Sequence, residues 1–531
     1  MRWLTKRHEV VREMTPEGYE ELVYADRPKS LGEMLSNTVD KHRDREGLIS
    51  GNQRLTYGQF DSLVRSVSSA LHHKYGVRKG DRVALMLWNG LEFAISFFAL
   101  AKLGALAVPI NTAFKGEELA YQVKDSGAIV LVVEREFHEL IAEVRSEIGD
   151  VRHIFVTGEE PPRGTLAFSE LLKQGEPVAV DTEVRETDAA AILYTSGTTG
   201  RPKGALVTHK GIIAAAMDVD EWFDWHVGDK MLLAVPLFHV TGLAMILCSA
   251  IYAAVPLVFM KRFKAADALR LIEQERITAM IVVPTIVWLM LNAPEFGQYD
   301  LSSLRVVAAG GAASSEALLR LCAEKLADVE LVPGYGLTEA SGVTHATTSL
   351  REALDKIGSV GRPMPVVEAK VVDASGREVP PGESGELLIK GCQVFKGYWN
   401  NPEATRETIV DGWLHTGDVA KITADGYTYI LDRIKDMIIR GGENIYSIEI
   451  ENVSYRNPKV LEAAVVGVPD PVFGEQVKAV LVLKPGEQAT VEEMQEFYSK
   501  HLARYKVPKY IEFREALPRN PAGKVMKAKL K

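Results

Sequence analysis

The stretch Tyr194-Thr195-Ser196-Gly197-Thr198-Thr199-Gly200-Arg201-Pro202-Lys203-Gly204 gathers the residue types that hold phosphate. Its glycines reach backbone angles closed to other residues and let the main chain approach a ligand. Successive N–H groups in such a turn form a concave anion nest. Thr195, Ser196, Thr198 and Thr199 add hydroxyl donors, and Lys203 adds a point charge suited to phosphate. The spacing is not that of the G-x-x-x-x-G-K-[ST] loop, because Arg201-Pro202-Lys203 follows Gly200. Composition alone leaves a flexible surface loop as the plainer alternative.

Such a loop needs rigid elements behind it. Ala190–Tyr194 reads as a strand directly before it. Arg82–Leu87, Ile129–Val133, Ala279–Val283 and Leu304–Ala308 are further apolar, strand-like runs, and Leu91–Leu103 has a helical pattern. Strands alternating with helices predict βαβ units and largely parallel sheets covered on both faces. After about Lys356 the texture changes. Turn chemistry at Pro380–Gly385 and short strands at Glu386–Lys390 and Gly426–Leu431 predict a β-rich subregion. Past Asp432, a helix from Glu449, strands at Leu461–Val466 and Val477–Leu483 and a helix at Val491–Leu502 suffice for a small α+β domain. The expected fold class is therefore α/β: a large N-terminal domain with parallel-rich sheets and a β-rich subdomain, then a small C-terminal domain.

The 531 residues exceed one simple core. A net charge of -9, from 62 basic and 71 acidic residues, argues against a dedicated nucleic-acid binder. Cys248, Cys322 and Cys392 have no metal-ligand spacing, so neither a disulfide framework nor a zinc site is expected, and a reducing, cytoplasmic setting fits. No apolar stretch follows the charged N-terminus, so no signal peptide is read. Val240–Val255 is almost wholly apolar but short of the ~20 residues a membrane span needs. A buried helix is expected there, with peripheral membrane contact and a homodimer left open.

Further strings follow in order: Gly310-Gly311-Ala312, Tyr335-Gly336-Leu337-Thr338-Glu339, Thr416-Gly417-Asp418, Asp432-Arg433-Ile434-Lys435-Asp436, Gly441-Gly442-Glu443-Asn444 and Pro521-Ala522-Gly523-Lys524. With the loop at Thr195–Gly204 they resemble the adenylate-forming superfamily of acyl-CoA synthetases, adenylation domains and firefly luciferase. The resemblance runs from about Leu31 to Lys527.

That resemblance implies ATP, Mg²⁺ and coenzyme A as ligands. It makes Thr195, Ser196, Gly197, Thr198, Thr199, Gly200 and Lys203 the phosphate grip. Gly311 and Ala312 would lie beside adenine, with Gly310 and Gly311 also against the acyl group. Read for its chemistry, Tyr335 offers adenine a stacking face, beside Gly336, and Thr338 can donate to the α-phosphate. Glu339 is a hard oxygen ligand for Mg²⁺, though alone it would pass for a solvated acid. The family assigns Asp418 to the ribose, Arg433 to the same sugar, and Lys435 to a hinge between residues 1–432 and a mobile domain of residues 433–531. Lys524 becomes the catalytic lysine of adenylation, steadying charge with Thr195 and Glu339; its plainer reading is a basic tail. Gly441, Gly442 and Glu443 would line the thiol tunnel once the small domain has turned.

His239 and Val240, in Pro236–Gly242, stand where the family borders its acyl pocket. Amino-acid-activating relatives usually carry an Asp there, so an acid without an α-amine is expected. Val282–Leu289 and the run after His239 can line an apolar pocket or be plain core. A medium- or long-chain fatty acid is the first expectation and an aryl acid the second. Delivery of the acyl group to a carrier protein or amine, a luciferase-like oxidase and a non-catalytic acyl or nucleotide sensor are the alternatives.

Overall fold

The computed structural model describes residues 7–158, 160–173, 178, 180, 182–195, 201–519 and 525–531. Ser196–Gly200 and Lys524, both prominent in the sequence, lie outside that set.

Among the described residues the large domain is built on two sheets. The seven-stranded sheet runs in the order Lys203–Thr208, Ala189–Thr195, Leu106–Pro109, Arg82–Met86, Val130–Val133, His153–Val156 and Leu166–Ala167. All its pairings are parallel except the first. Apart from Arg82 at the start of its strand, its central strands Arg82–Met86 and Val130–Val133 are apolar because both faces are covered. The helix Leu91–Leu103, apolar nearly all round, is buried in a core that both sheets share. Helix His209–Phe223 joins the same core, capped by Thr208, whose side chain accepts from the N–H of Gly211.

The second sheet has a parallel run through Leu257–Phe259, Met231–Leu233, Ala279–Val282, Val306–Ala309 and Glu330–Leu337. It then turns antiparallel at Gly342–Ala346 and continues through Ser359–Pro363, Thr428–Arg433, Trp413–Ile422, Ser384–Gly391 and Val367–Val372. The expected β-rich subregion is thus an extension of this sheet. Its strands lack crossover helices, and antiparallel neighbours need only short turns.

The apolar run after Val240 forms consecutive helical segments, Thr241–Cys248 with wide turns and Ser249–Tyr252, nearly all buried. No helix among the described residues is long and apolar enough to cross a membrane. All three cysteines are buried free thiols.

From Ile438 onward the chain buries separate apolar clusters of its own. Ile438–Arg440, Glu443–Ile445, Gly474–Leu483, Val460–Asp470 and Tyr510–Phe513 form a five-stranded sheet, and helices Ser447–Ser454 and Val491–His501 contribute to its core. This is the small C-terminal domain.

Candidate active site

The strands Ala189–Thr195 and Lys203–Thr208 pair antiparallel and set Thr195 opposite Lys203. They thereby fix the mouth of the segment that runs between them. Three tyrosines and a tryptophan brace that mouth. Tyr194 donates to Asp125 Oδ2 at 2.6 Å, Trp399 Nε1 to the Asp125 carbonyl at 2.9 Å, and Tyr121 to the Pro202 carbonyl at 2.9 Å. The main chain of Gly397–Trp399 joins the hairpin too: Trp399 N donates to Gly204 O at 2.7 Å and Leu206 N to Gly397 O at 2.9 Å. The Lys203 ammonium lies 5.1 Å over the Tyr398 ring.

Glu339 sits in the turn Thr338–Ala340, directly after strand Glu330–Leu337. Its Oε1 accepts from Thr195 Oγ1 at 3.3 Å and from the Tyr398 hydroxyl at 3.0 Å. Burial, then the charge of Glu339, pushes the Tyr398 phenol well up, so it stays a donor. Tyr398 escaped the sequence reading. The string Gly397-Tyr398-Trp399 marks a turn with aromatics, but nothing in it names the carboxylate 59 residues away.

The second cluster centres on Asp418. Antiparallel pairing of Trp413–Ile422 with Thr428–Arg433 sets Asp418 opposite Arg433, and Arg433 Nε lies 3.3 Å from Asp418 Oδ1. The Tyr335 hydroxyl donates to Asp418 Oδ2 at 2.6 Å. Burial, then Asp418, holds the Tyr335 phenol far above its ordinary value. Asp418 itself is only 5% exposed. Its flank is rigid: Asp418 N donates to Thr416 Oγ1, Thr416 Oγ1 to Leu387 O, and Gly417 N to Glu386 Oε1.

Both clusters open into one cleft of about 1470 Å³. Thr195, Lys203, Thr338 and Glu339 line one part, and Tyr335, Gly336, Asp418 and Arg433 another. Gly311, Ala312, His239 and Lys435 line it as well. Burial and the neighbouring Arg433 draw the Lys435 ammonium below its ordinary value. Ile448, Asn452 and Met526 of the small domain complete the wall, so both domains shape the cleft. Met526 is the second residue past Lys524.

Two positions expected at the acyl pocket are not on that wall, nor are the three assigned to the thiol tunnel. Val240 leads into the helix Thr241–Cys248 instead of facing the cleft. Gly310 packs on the strand behind: a Cβ there would meet Gly334 O at 3.0 Å. Gly441, Gly442 and Glu443 fall at the turn between Ile438–Arg440 and Glu443–Ile445, where φ of +62° and +89° closes a tight hairpin away from the cleft.

Gly334 does line the cleft, and it is thin there for a reason. The tip of the Trp222 indole lies 2.7 Å from where a Cβ would stand, so no larger residue fits. Trp222 Nε1 is tied to Thr347 O at 2.7 Å. The ring therefore backs the cleft wall at Gly334.

The AMP-binding enzyme family model matches residues 35–399, and the AMP-binding enzyme C-terminal domain model matches residues 449–524. The chain belongs to this family. Among its relatives is the long-chain-fatty-acid–CoA ligase FadD13 of Mycobacterium tuberculosis, 38% identical over 511 residues, 95% of this chain and 98% of that one. The crystal structure of the anthranilate CoA ligase AuaEII in complex with anthranoyl-AMP is similar with a TM-score of 0.88 at 30% identity, covering 95% of this chain and 98% of that one. So is the o-succinylbenzoate coenzyme A synthetase MenE from Bacillus subtilis in complex with ATP and magnesium ion, with a TM-score of 0.83 at 30% identity, over 94% and 98%. The enzyme is thus an AMP-forming ligase that activates a carboxylic acid with ATP.

Proposed function

We propose that this ligase converts a fatty acid, through its acyl-adenylate, into a coenzyme A thioester. The observation that carries the reading is the single cleft that joins Thr195, Lys203 and Glu339 to Asp418, Arg433 and Tyr335. We assign its two clusters to the two ends of one nucleotide. Lys203, with the segment Ser196–Gly200, grips the β- and γ-phosphates. Asp418 takes the ribose hydroxyls, Arg433 assists, and Gly311, Ala312 and the Tyr335 ring border adenine. A carboxylate oxygen attacks the α-phosphorus, that P–O bond forms as the bond to the β-phosphate breaks, and pyrophosphate leaves. Lys524 and Thr338 steady the charge that shifts during this step. The thiolate sulfur then attacks the acyl carbon, and AMP leaves.

Mg²⁺ fits Glu339. Among the described residues no cluster of three or more His, Cys, Asp or Glu can hold a metal, so an ion here takes one carboxylate plus phosphate and water oxygens, its ordinary manner. When bound it supplies charge neutralisation of the phosphates. Thr195 and Tyr398 hold the carboxylate in place for it.

The domain division falls at 432/433 with the pivot at Lys435. Gly441–Glu443 reach the thiol path only after the small domain turns, which accords with their present distance from the cleft wall. The Trp222 indole, which closes the wall behind Gly334, supports a second reading, a compact aryl acid, on the assignment of the acid to that part of the cleft.

Pyrophosphate release with a panel of alkyl and aryl acids, with and without coenzyme A, tests this. Thioester with the alkyl acids is the expected product, and preference for aryl acids supports the second reading. No ATP-dependent pyrophosphate release with any acid refutes both. Adenylate without thioester refutes coenzyme A as acceptor.

A further inference from the structure

Asn89 lies between the strand Arg82–Met86 of the first sheet and the helix Leu91–Leu103. It does not touch the cleft and is 8% exposed. Its side-chain amide nevertheless holds three main-chain groups just past strands of the second sheet. Nδ2 donates to Val235 O at 3.0 Å and to Met260 O at 3.0 Å, and Oδ1 accepts from Leu237 N at 2.9 Å. Two carbonyls facing one end of the amide and an N–H facing the other admit only this orientation. Asn89 thereby ties the segments leaving Met231–Leu233 and Leu257–Phe259 to the end of the first sheet.

The segment it holds leads straight to the cleft. Phe238 and His239 line the cleft, with their ring centroids 4.6 Å apart. The far end of that segment is fixed as well. Leu243 N donates to His239 O at 2.9 Å, and a Cβ on Gly242 would stand 2.3 Å from Pro236 O, so the chain folds back on itself as closely as glycine permits. Phe238 and His239 are thus a short bridge between two anchors, one of them a single amide.

We propose that Asn89 is a positioning residue that sets acid selectivity by fixing the Val235–His239 segment. The inference rests on the reading that the acid lies against His239. A wall placed by three hydrogen bonds discriminates acids by shape, and a freed wall adapts to poor ones. The loss therefore falls on the acid and spares the nucleotide, whose contacts stand on other elements.

The test compares Asn89→Ala, Asn89→Asp and His239→Ala in steady-state pyrophosphate release. Asn89→Asp keeps the volume and the acceptor for Leu237 but turns an oxygen on two carbonyls, so it disturbs the wall without opening a cavity. For both Asn89 variants the acid KM should rise about tenfold while the ATP KM stays within about twofold. The kcat/KM ratio between the best acid and its next homologue should shrink about tenfold. Normalising to the adenylate burst counts only folded enzyme. Equal rises for ATP and acid, or an unchanged acid ratio, overturn the proposal. If His239→Ala leaves the acid KM unchanged, the placement of the acid fails instead.

Discussion

Replacing Tyr335 by Phe separates two roles that one ring can play. The ring itself offers a stacking face, which Phe retains. The hydroxyl does something else: it donates at 2.6 Å to Asp418 Oδ2 in a nearly buried site. A second side-chain partner of that carboxylate, Arg433, is half exposed and sits at 3.3 Å on the opposite oxygen. An ion pair so exposed contributes well under about 1 kcal/mol, whereas a hydrogen bond to a buried charge contributes about 1.5–3 kcal/mol. Tyr335 is therefore the stronger of the two ties. At about 1.4 kcal/mol per factor of ten, its loss should raise the ATP KM about 10- to 100-fold. The acid KM should stay close to the parent value. Steady-state pyrophosphate release, with ATP and acid varied in turn, reads both constants. An ATP KM within about twofold of the parent would refute the argument and return Tyr335 to a purely stacking part.

Lys524→Ala should slow adenylation by about 10²–10³, the ordinary cost of losing one charge-stabilising group, while sparing thioester formation from supplied acyl-adenylate. Equal loss of both half-reactions in rapid-quench assays would contradict that role. Trp222→Ala removes the indole behind Gly334 and should move the preferred acid toward longer chains, at about 0.8 kcal/mol per methylene accommodated. An unchanged chain-length profile means that the acid runs elsewhere. His209 is fully buried, and burial lowers it to about 4; its Nδ1 accepts from Leu31 N, a bond that protonation breaks. The unfolded chain binds that proton near 6.5, so the stabilisation is whole above pH 6.5 and shrinks by about 3 kcal/mol as pH falls to about 4. Urea melts of His209→Gln should show a shallower loss over this window, and a slope equal to the parent's would exclude His209 as the source.

Much of the frame was legible in the residues. Ala190–Tyr194, Arg82–Leu87 and Leu91–Leu103 carry local patterns strong enough to name strand and helix; the structure has the strands with ends moved by one residue at most and the helix over the same residues. Val240–Val255 reads as buried because it is apolar yet short. What the residues do not carry is register. Tyr335 meets Asp418, and Tyr398 meets Glu339, because strands distant in sequence end side by side. No local signal specifies such a meeting. Asn89 was invisible for the same reason: an asparagine before a glycine reads as a turn former, and its partners lie 146 and more residues away. Most of the family strings meet in one cleft, and the contacts inside it come from packing.

The register that sets Asp418 opposite Arg433 also fixes where the ladder ends. Ile434 N still donates to Gly417 O at 2.9 Å, beside Asp418, and Lys435 is the next residue. With the pivot proposed at Lys435, the carboxylate assigned to the ribose stands about one rung from the proposed axis of the small domain. A ligand there cannot prefer one orientation of the domain without the orientation, in turn, changing the affinity for that ligand by the same factor. Nucleotide exchange and domain turning are then two readings of a single coupling free energy. Release of AMP and return of the small domain become thermodynamically linked events in the cycle.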